Sequence, residues 1–229
     1  MKILVMGIGN LLWADEGFGV RCIERFAERY VFDSDEVELM DGGTQGIYLV
    51  NHVEECEYLL VFDAVDYGLA PGTIKVVEGD EVPRFMGVKK ISLHQTGFQE
   101  VISTAQLLGW EPKGIAMVGV QPEMIEDFGG SLTAIVKAQI EPCLTLGAEF
   151  LKQWGATFHE RTISEPSIVH TELDMQMYES NRPDEQDACR LGDERVLESG
   201  EFELRDSPLR EGGCQSIPID GRKLFSEGT

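Results

Sequence analysis

The residues able to do chemistry in this chain are a short set of polar side chains that each follow a predicted strand. Asn10, Asp15 and Glu16 come after the first apolar run, and Asp41 after the second. Asp63 and Asp66 close the third, His94 sits in a later "SLHQTG" segment, and Gln121 and Glu123 follow the last run. In an open parallel sheet the loops beyond the carboxyl ends of the strands share one rim, so these groups can meet although they are far apart in sequence. One imidazole with several carboxylates and no thiolate is a donor set for zinc, nickel, cobalt, manganese or iron. Three protein ligands leave positions open for water or for a substrate group. Each residue alone also has a structural reading. Glu16 stands near a helix start, where a carboxylate favours the dipole. Asp41 precedes Gly-Gly and suits a turn. Asp63 suits loop amides, and His94 a position like a helix cap. The expectation of a site rests on the set, not on one member. His52, His159 and His170 have no such setting and read as surface residues.

The elements that must position this set are legible from periodicity. "KILVMG" (2–7), "YLLVFDAVD" (58–66) and "GIAMVGVQP" (114–122) are near-continuous apolar runs, as in strands buried on both faces. "VELMDGG" (37–43) reads as a further strand, and "GTIKVVEG" (72–79), after Pro71, as an edge strand. Between them the apolar period becomes helical. Val20, Ile23, Phe26, Ala27 and Tyr30 form one stripe over residues 17–30, with Arg21, Glu24, Arg25 and Glu28 facing water. Residues 44–55 predict a helix capped by Thr44, and residues 95–108 another. A last helix runs from about residue 131 to Trp154, with Pro142 kinking or restarting it. Strands alternating with helices predict an α/β domain with a mostly parallel sheet over residues 1–159.

The opening loop, "GIGNLLWADEGFG" (7–19), resembles half of a dinucleotide fingerprint. The full fingerprint needs Gly-x-Gly-x-x-Gly opening directly into a helix, and here the third position is Leu12. Asp15 and Glu16 beside the helix start would repel a phosphate. No P-loop, G-x-S-x-G elbow or H-E-x-x-H helix occurs.

Charge narrows the partners. The 229 residues carry 41 acidic and 19 basic side chains, a net charge of -22, which disfavours nucleic acid and anionic membrane surfaces. The five cysteines are widely spaced, with no CxxC, and the first apolar run is too short for a signal core or a membrane span. A reduced, cytoplasmic protein is the expectation. Residues 160–229 differ in character, with 17 acidic and 8 basic side chains and no buried-strand pattern. They predict an acidic, low-hydrophobicity extension that is mobile, or ordered only by packing on the domain.

Taken in order, "GIGNLLWADEGFGV", "DGGT", "VFDAVDYG" with "PGT", "SLHQTG" and "VGVQPE" resemble the maturation endopeptidases of nickel–iron hydrogenases. The resemblance covers residues 1–155 and is silent on residues 160–229. It implies a twisted five-stranded α/β sheet with helices on both faces, of the phosphorylase/hydrolase-like kind. It implies removal of a carboxyl-terminal peptide from the hydrogenase large-subunit precursor once nickel has been inserted. Carried onto this sequence, the metal ligands are Glu16, Asp63 and His94, and Asp41 matters for activity. The metal is nickel brought by the substrate, and other divalent ions fit the same donors. No catalytic Ser or Cys arrangement is evident, so Asp41 and Asp66 are the candidate helper carboxylates. The alternative is a metal-dependent chaperone that docks on the precursor without cutting it; nucleotide binding is the third reading.

Overall fold

A strand buried at every position from Ile3 to Ile8 forms the axis of the domain. The computed structural model describes residues 1–86, 93–161 and 173–182, with the backbone alone for 84–86 and 93–97. Strand β1 (Ile3–Ile8) lies between β3 (Val37–Gly43) and β4 (Tyr58–Ala64), followed by β6 (Gly114–Val120) and β5 (Ile74–Glu78), giving the order β3-β1-β4-β6-β5. The first four run parallel, and β5 is antiparallel to β6 at the edge. The sheet is therefore mostly parallel and five-stranded, as the apolar runs predict.

Helices cover both faces. On the first, α1 (Phe18–Arg29) and α6 (Ile140–Gln153) bury Phe18, Phe26 and Leu144 against Val5, Leu60 and Phe62. On the second, α2 (Val50–Glu54) and α4 (Leu93–Leu107) bury Val53, Phe98 and Ile102 against Leu4, Met6 and Val61. The alternation of β4 divides its side chains between the two cores, as the period of two demands. No described helix is long and apolar enough to cross a membrane.

Several elements differ from the expectation. Residues 44–55 form a 3₁₀ turn (Gly46–Leu49) and then the short α2, because Gly46 adopts a left-handed φ of 55° where a continuous helix would run. The last helix divides into α5 (Ala134–Lys137) and α6, with Pro142 in the first turn of α6, where its missing N–H costs nothing. A two-stranded antiparallel ribbon, β2 (Tyr30–Phe32) with β7 (Phe158–Glu160), and helix α3 (Glu81–Met86) carry weak sequence signals. Arg21 and Glu24 do not face water; they are 2% and 3% exposed. Residues 173–182 cover them. This segment carries α7 (Met175–Ser180), capped by the Asp174 carboxylate accepting from the Gln176 and Met177 amides. Arg21 pairs with Glu24 at 2.8 Å and donates to the Leu173 carbonyl at 2.5 Å. Glu24 accepts from the Met175 amide at 3.4 Å, and the Arg21 guanidinium lies 5.6 Å from the Tyr178 ring centre. The remaining residues of the expected extension, 162–172 and 183–229, lie outside the described residues.

The glycines of the opening loop serve close packing. A Cβ on Gly19, in the first turn of α1, would stand 2.2 Å from the Phe62 carbonyl oxygen and 2.3 Å from that of Ile8. Helix α1 is thus pressed onto the ends of β1 and β4. Gly19→Ala is expected to destabilise the fold by about 3 kcal/mol, since backbone atoms cannot swing aside, lowering the midpoint of thermal unfolding by roughly 10 °C. Thermal unfolding followed by circular dichroism checks this.

Candidate active site

The loop between β1 and α1 is built around Asp15, to which the sequence assigns no role. Its carboxylate is fully buried and accepts four hydrogen bonds. The amides of Glu123 and Met124 reach Oδ2 at 2.9 Å each, the Thr133 amide reaches Oδ1 at 2.7 Å, and the Thr133 hydroxyl reaches Oδ2 at 3.1 Å. The Asp15 amide returns a bond to the Met124 carbonyl at 3.0 Å. The loop after β1 is thereby fixed to the loop after β6. Trp13 adds an edge-on ring contact with Phe128, 5.2 Å between centroids. The tie holds Ala14 at φ 40°, a strained conformation for a residue with a Cβ. Asp15→Asn places an NH2 group against at least one amide donor, that of Thr133 at Oδ1 or those of Glu123 and Met124 at Oδ2. It is expected to cost about 2 kcal/mol, read as a lower unfolding midpoint.

Next to this anchor, Glu16 is set on the 3₁₀ turn Ala14–Gly17. Its carbonyl accepts from the Asn10 amide at 3.1 Å, and its amide donates to the Trp13 carbonyl at 2.9 Å. Gly9 makes this approach possible. It has φ 142°, and a Cβ there would lie 1.8 Å from the Glu16 carbonyl oxygen. Burial raises the Glu16 carboxyl from 4.5 to about 7.

Asp63, at the end of β4, is also fully buried, but neither of its carboxylate oxygens has a hydrogen-bond partner among the described residues. Burial pushes its carboxyl well above the usual range, the Ala64 amide opposes this weakly, and the negative charge of Glu16 adds to the rise. The structure therefore brings Glu16 and Asp63 within electrostatic reach of each other, as a pair of carboxylates. Beside them, Tyr67 packs over Gly119, where a Cβ would lie 2.4 Å from the tyrosine hydroxyl. Gly119 is paired with Asp63 across β4 and β6, so Asp63 and Tyr67 share the second face of the sheet. Sequence reasoning passed over Tyr67, although "FDAVDYG" places it on the same strand exit.

His94 lies in the first turn of α4, and its side chain is outside the described residues. The helix backbone still locates it. Its 15 residues span about 22 Å, close to the roughly 23 Å of β6, into whose amino end α4 leads. Its first turn therefore returns to the carboxyl rim, on the face that carries Asp63.

Asp41 and Asp66 are placed differently. Asp41 is level with Gly7, as is Phe62 on the other side, so its side chain shares the first face of the sheet with Phe62, opposite to Asp63. Its Oδ1 is buried without a partner, and burial raises its carboxyl, against the Gly43 amide and the positive charge of Arg21. Asp66 is a fastening. Its Oδ1 accepts from the Gly68 amide at 2.7 Å and from Gln121 Nε2 at 2.9 Å, while Gln121 Oε1 accepts from the Tyr67 and Leu69 amides at 2.7 and 3.1 Å. His52 and His159 are exposed as expected, and His170 is outside the described residues. Cys22, Cys56 and Cys143 are buried free thiols that burial pushes up, Cys56 and Cys143 to about 12, which leaves them without nucleophilic character.

The Glu16 shift has a definite sign. A carboxyl raised on folding binds its proton more tightly in the native state. The stability it contributes is complete below its ordinary value of 4.5 and is lost as pH rises to about 7. Glu16→Gln removes this loss. The variant is expected to match the native chain near about pH 4 and to unfold several degrees higher at about pH 8, measured by thermal unfolding across that range.

Comparison with known proteins gives the family. A family model for hydrogenase maturation proteases matches residues 20–149. The hydrogenase expression/formation protein HupD of Thiocapsa roseopersicina is 56% identical over 201 residues, covering 86% of this chain and 90% of that protein. The hydrogenase 2 maturation protease of Escherichia coli is 41% identical over 156 residues, 68% of this chain and 93% of that one. The solved structure of the hydrogenase maturating endopeptidase HybD from Escherichia coli superposes with a TM-score of 0.67 at 39% identity, covering 71% of this chain and 99% of that one. The likeness to HupD covers more of the chain than residues 1–159 hold, so it runs into the extension, whereas HybD is spanned almost whole by a smaller part. A matched model over more than half the chain, and relatives this similar over most of their length, make the chain a member of the hydrogenase maturation proteases, which are endopeptidases.

Proposed function

We propose that this endopeptidase removes the carboxyl-terminal peptide from the large-subunit precursor of a nickel–iron hydrogenase, and that nickel already inserted in the precursor is its recognition signal. The observation that carries the nickel reading is Asp63, a fully buried carboxylate with no hydrogen-bond partner for either oxygen among the described residues beyond the influence of the Ala64 amide, and made costlier by Glu16. A buried anion so poorly partnered calls for a cation. Glu16 and Asp63 supply two oxygen donors, and His94, at the start of the helix on that face, supplies the third ligand. When the precursor docks, its nickel tethers the substrate and fixes the scissile bond relative to the rim, a proximity effect.

The remaining roles fall to the chain's own groups. Asp15 holds the Glu16 loop in place. Asp66, through Gln121, fixes the strand exit that carries Tyr67. Asp41, raised by burial, is the carboxylate that accepts a proton from the attacking water as its oxygen adds to the carbonyl carbon; the C–N bond then breaks and the leaving nitrogen takes that proton from Asp41. The positive Arg21 keeps Asp41 from rising further.

The test mixes the full chain with nickel-loaded and with nickel-free precursor and follows the mobility shift of the shortened large subunit. Cleavage is expected only of the loaded form, and Glu16→Gln and His94→Ala are expected to slow it by about 100-fold. Equal cleavage of the nickel-free form overturns the recognition role. A stable complex with no cleavage favours the docking chaperone instead.

A further inference from the structure

The rim that carries Glu16 and Asp63 is unusually apolar for so acidic a chain. Leu12 stands exposed on the loop after β1, Ile47 and Tyr48 on the turn after β3, Leu69 on the loop after β4, and Met124 and Phe128 on the loop after β6. Tyr48 is 81% exposed. These are the loops beyond four strands that are successive neighbours in the sheet, so the set spans three strand spacings, about 14 Å before the loops themselves are counted. Contiguity is direct on the β1–β6 side. The Gly129 amide donates to the Leu12 carbonyl at 2.7 Å, Phe128 packs on Trp13, and Met124 is tied to Asp15. Exposed apolar groups clustered around a site mark a surface that another molecule covers.

We infer that this apolar crown is the seat of the folded body of the protein substrate, the hydrogenase precursor; this rests on the proposed function. Three observations select that occupant. First, the crown surrounds the carboxylate pair, so a peptide bond cannot reach Glu16 and Asp63 without its parent protein lying across these side chains. Second, the crown extends to both sides of the pair, as a protein face does, whereas an extended peptide lies along one line. Two cavities, of about 290 and 460 Å³, lie elsewhere, one against Lys152 and Phe158 and one against Arg25 and Gln176, and neither offers a pocket at the rim. Third, six exposed apolar side chains gather at this rim on a chain of net charge -22, with the exposed acids Glu123 and Glu126 interleaved on the β6 loop, so the matching face of the precursor is mainly apolar and basic opposite those two acids. Tyr48 and Phe128 are the aromatic anchors, at opposite ends of the crown.

The experiment compares full-length Tyr48→Glu and Leu69→Glu with Leu107→Glu, a control at an exposed apolar residue at the far end of α4; Phe128 is left intact because its ring packs on Trp13 in the loop tie. Three readings are taken: KM and kcat on nickel-loaded precursor, sedimentation of the enzyme alone, and nickel binding to the enzyme alone by calorimetry. The crown variants are expected to raise KM by about tenfold each, with kcat within twofold and nickel binding and unfolding midpoint unchanged, while the control matches the parent. Parent-like KM in both crown variants overturns the inference, as does a loss confined to kcat. A fall in KM shows that the chain's own residues occupied the crown. A parent dimer that becomes monomeric in the variants, with KM unchanged, shows a second copy there. Either result also overturns it. Failure of the parent to cleave, with precursor binding that the crown variants still weaken, counts against the proposed function and leaves the docking surface standing.

Discussion

Asp15 and Asp63 are both fully buried aspartates, and the site follows from the opposite ways in which they are partnered. Asp15 receives four hydrogen bonds from one short stretch of chain, enough to hold a carboxylate in an apolar interior. That bond set is the side-chain part of the joint between the two loops, beside the backbone bonds from Gly129 to Leu12 and from Asp15 to Met124. It also offsets the strained backbone at Ala14 and sets Glu16 over the end of the sheet. Asp63 has no comparable set of donors among the described residues. Its charge is tolerated only as a neutral acid or beside a positive ion, and the anchor next door keeps Glu16 close enough to reinforce that demand. One carboxylate holds the architecture and the other is held in reserve by it.

The sheet divides the remaining carboxylates. Alternation along the strands sends Asp63, with Tyr67, to the face of α4, and Asp41 to the face of α1 and Arg21. Two carboxylates at the same rim therefore meet different environments: one next to a second anion, the other next to a cation. In the proposed function this separation keeps the nickel-facing carboxylate and the proton-accepting one from competing for the same ion.

Much of this was legible in the sequence. Strands buried on both faces announce themselves as apolar runs, and their order of appearance placed Glu16, Asp41, Asp63 and His94 at one rim. The part that was hidden is long-range. Arg21 and Glu24 read as solvated because the segment that buries them lies about 150 residues away. Asp15 and Glu16 are adjacent acids in one loop, and nothing in their spacing says which is an anchor. Only the amides of Glu123, Met124 and Thr133 decide it. The face of Asp41 could have been read from the period of two, but a rim argument treats strand ends as points and discards it.

The covering of Arg21 and Glu24 also bears on the order in which such a chain can be assembled. A relative the size of HybD, which is spanned almost whole by 71% of this chain, shows that the fold exists at shorter length. On a shorter chain an Arg–Glu pair three residues apart on α1 would be an ordinary solvated helix pair, costing almost nothing. The reverse order is not neutral. Residues 173–175 laid over α1 without that pair would bury the Leu173 carbonyl and the Met175 amide against apolar side chains, with no partner for either. The pair can precede the extension at no penalty, whereas the extension cannot dock before the pair. The seating of residues 173–175 thus depends on the Arg21–Glu24 pair, whereas the pair does not depend on that seating.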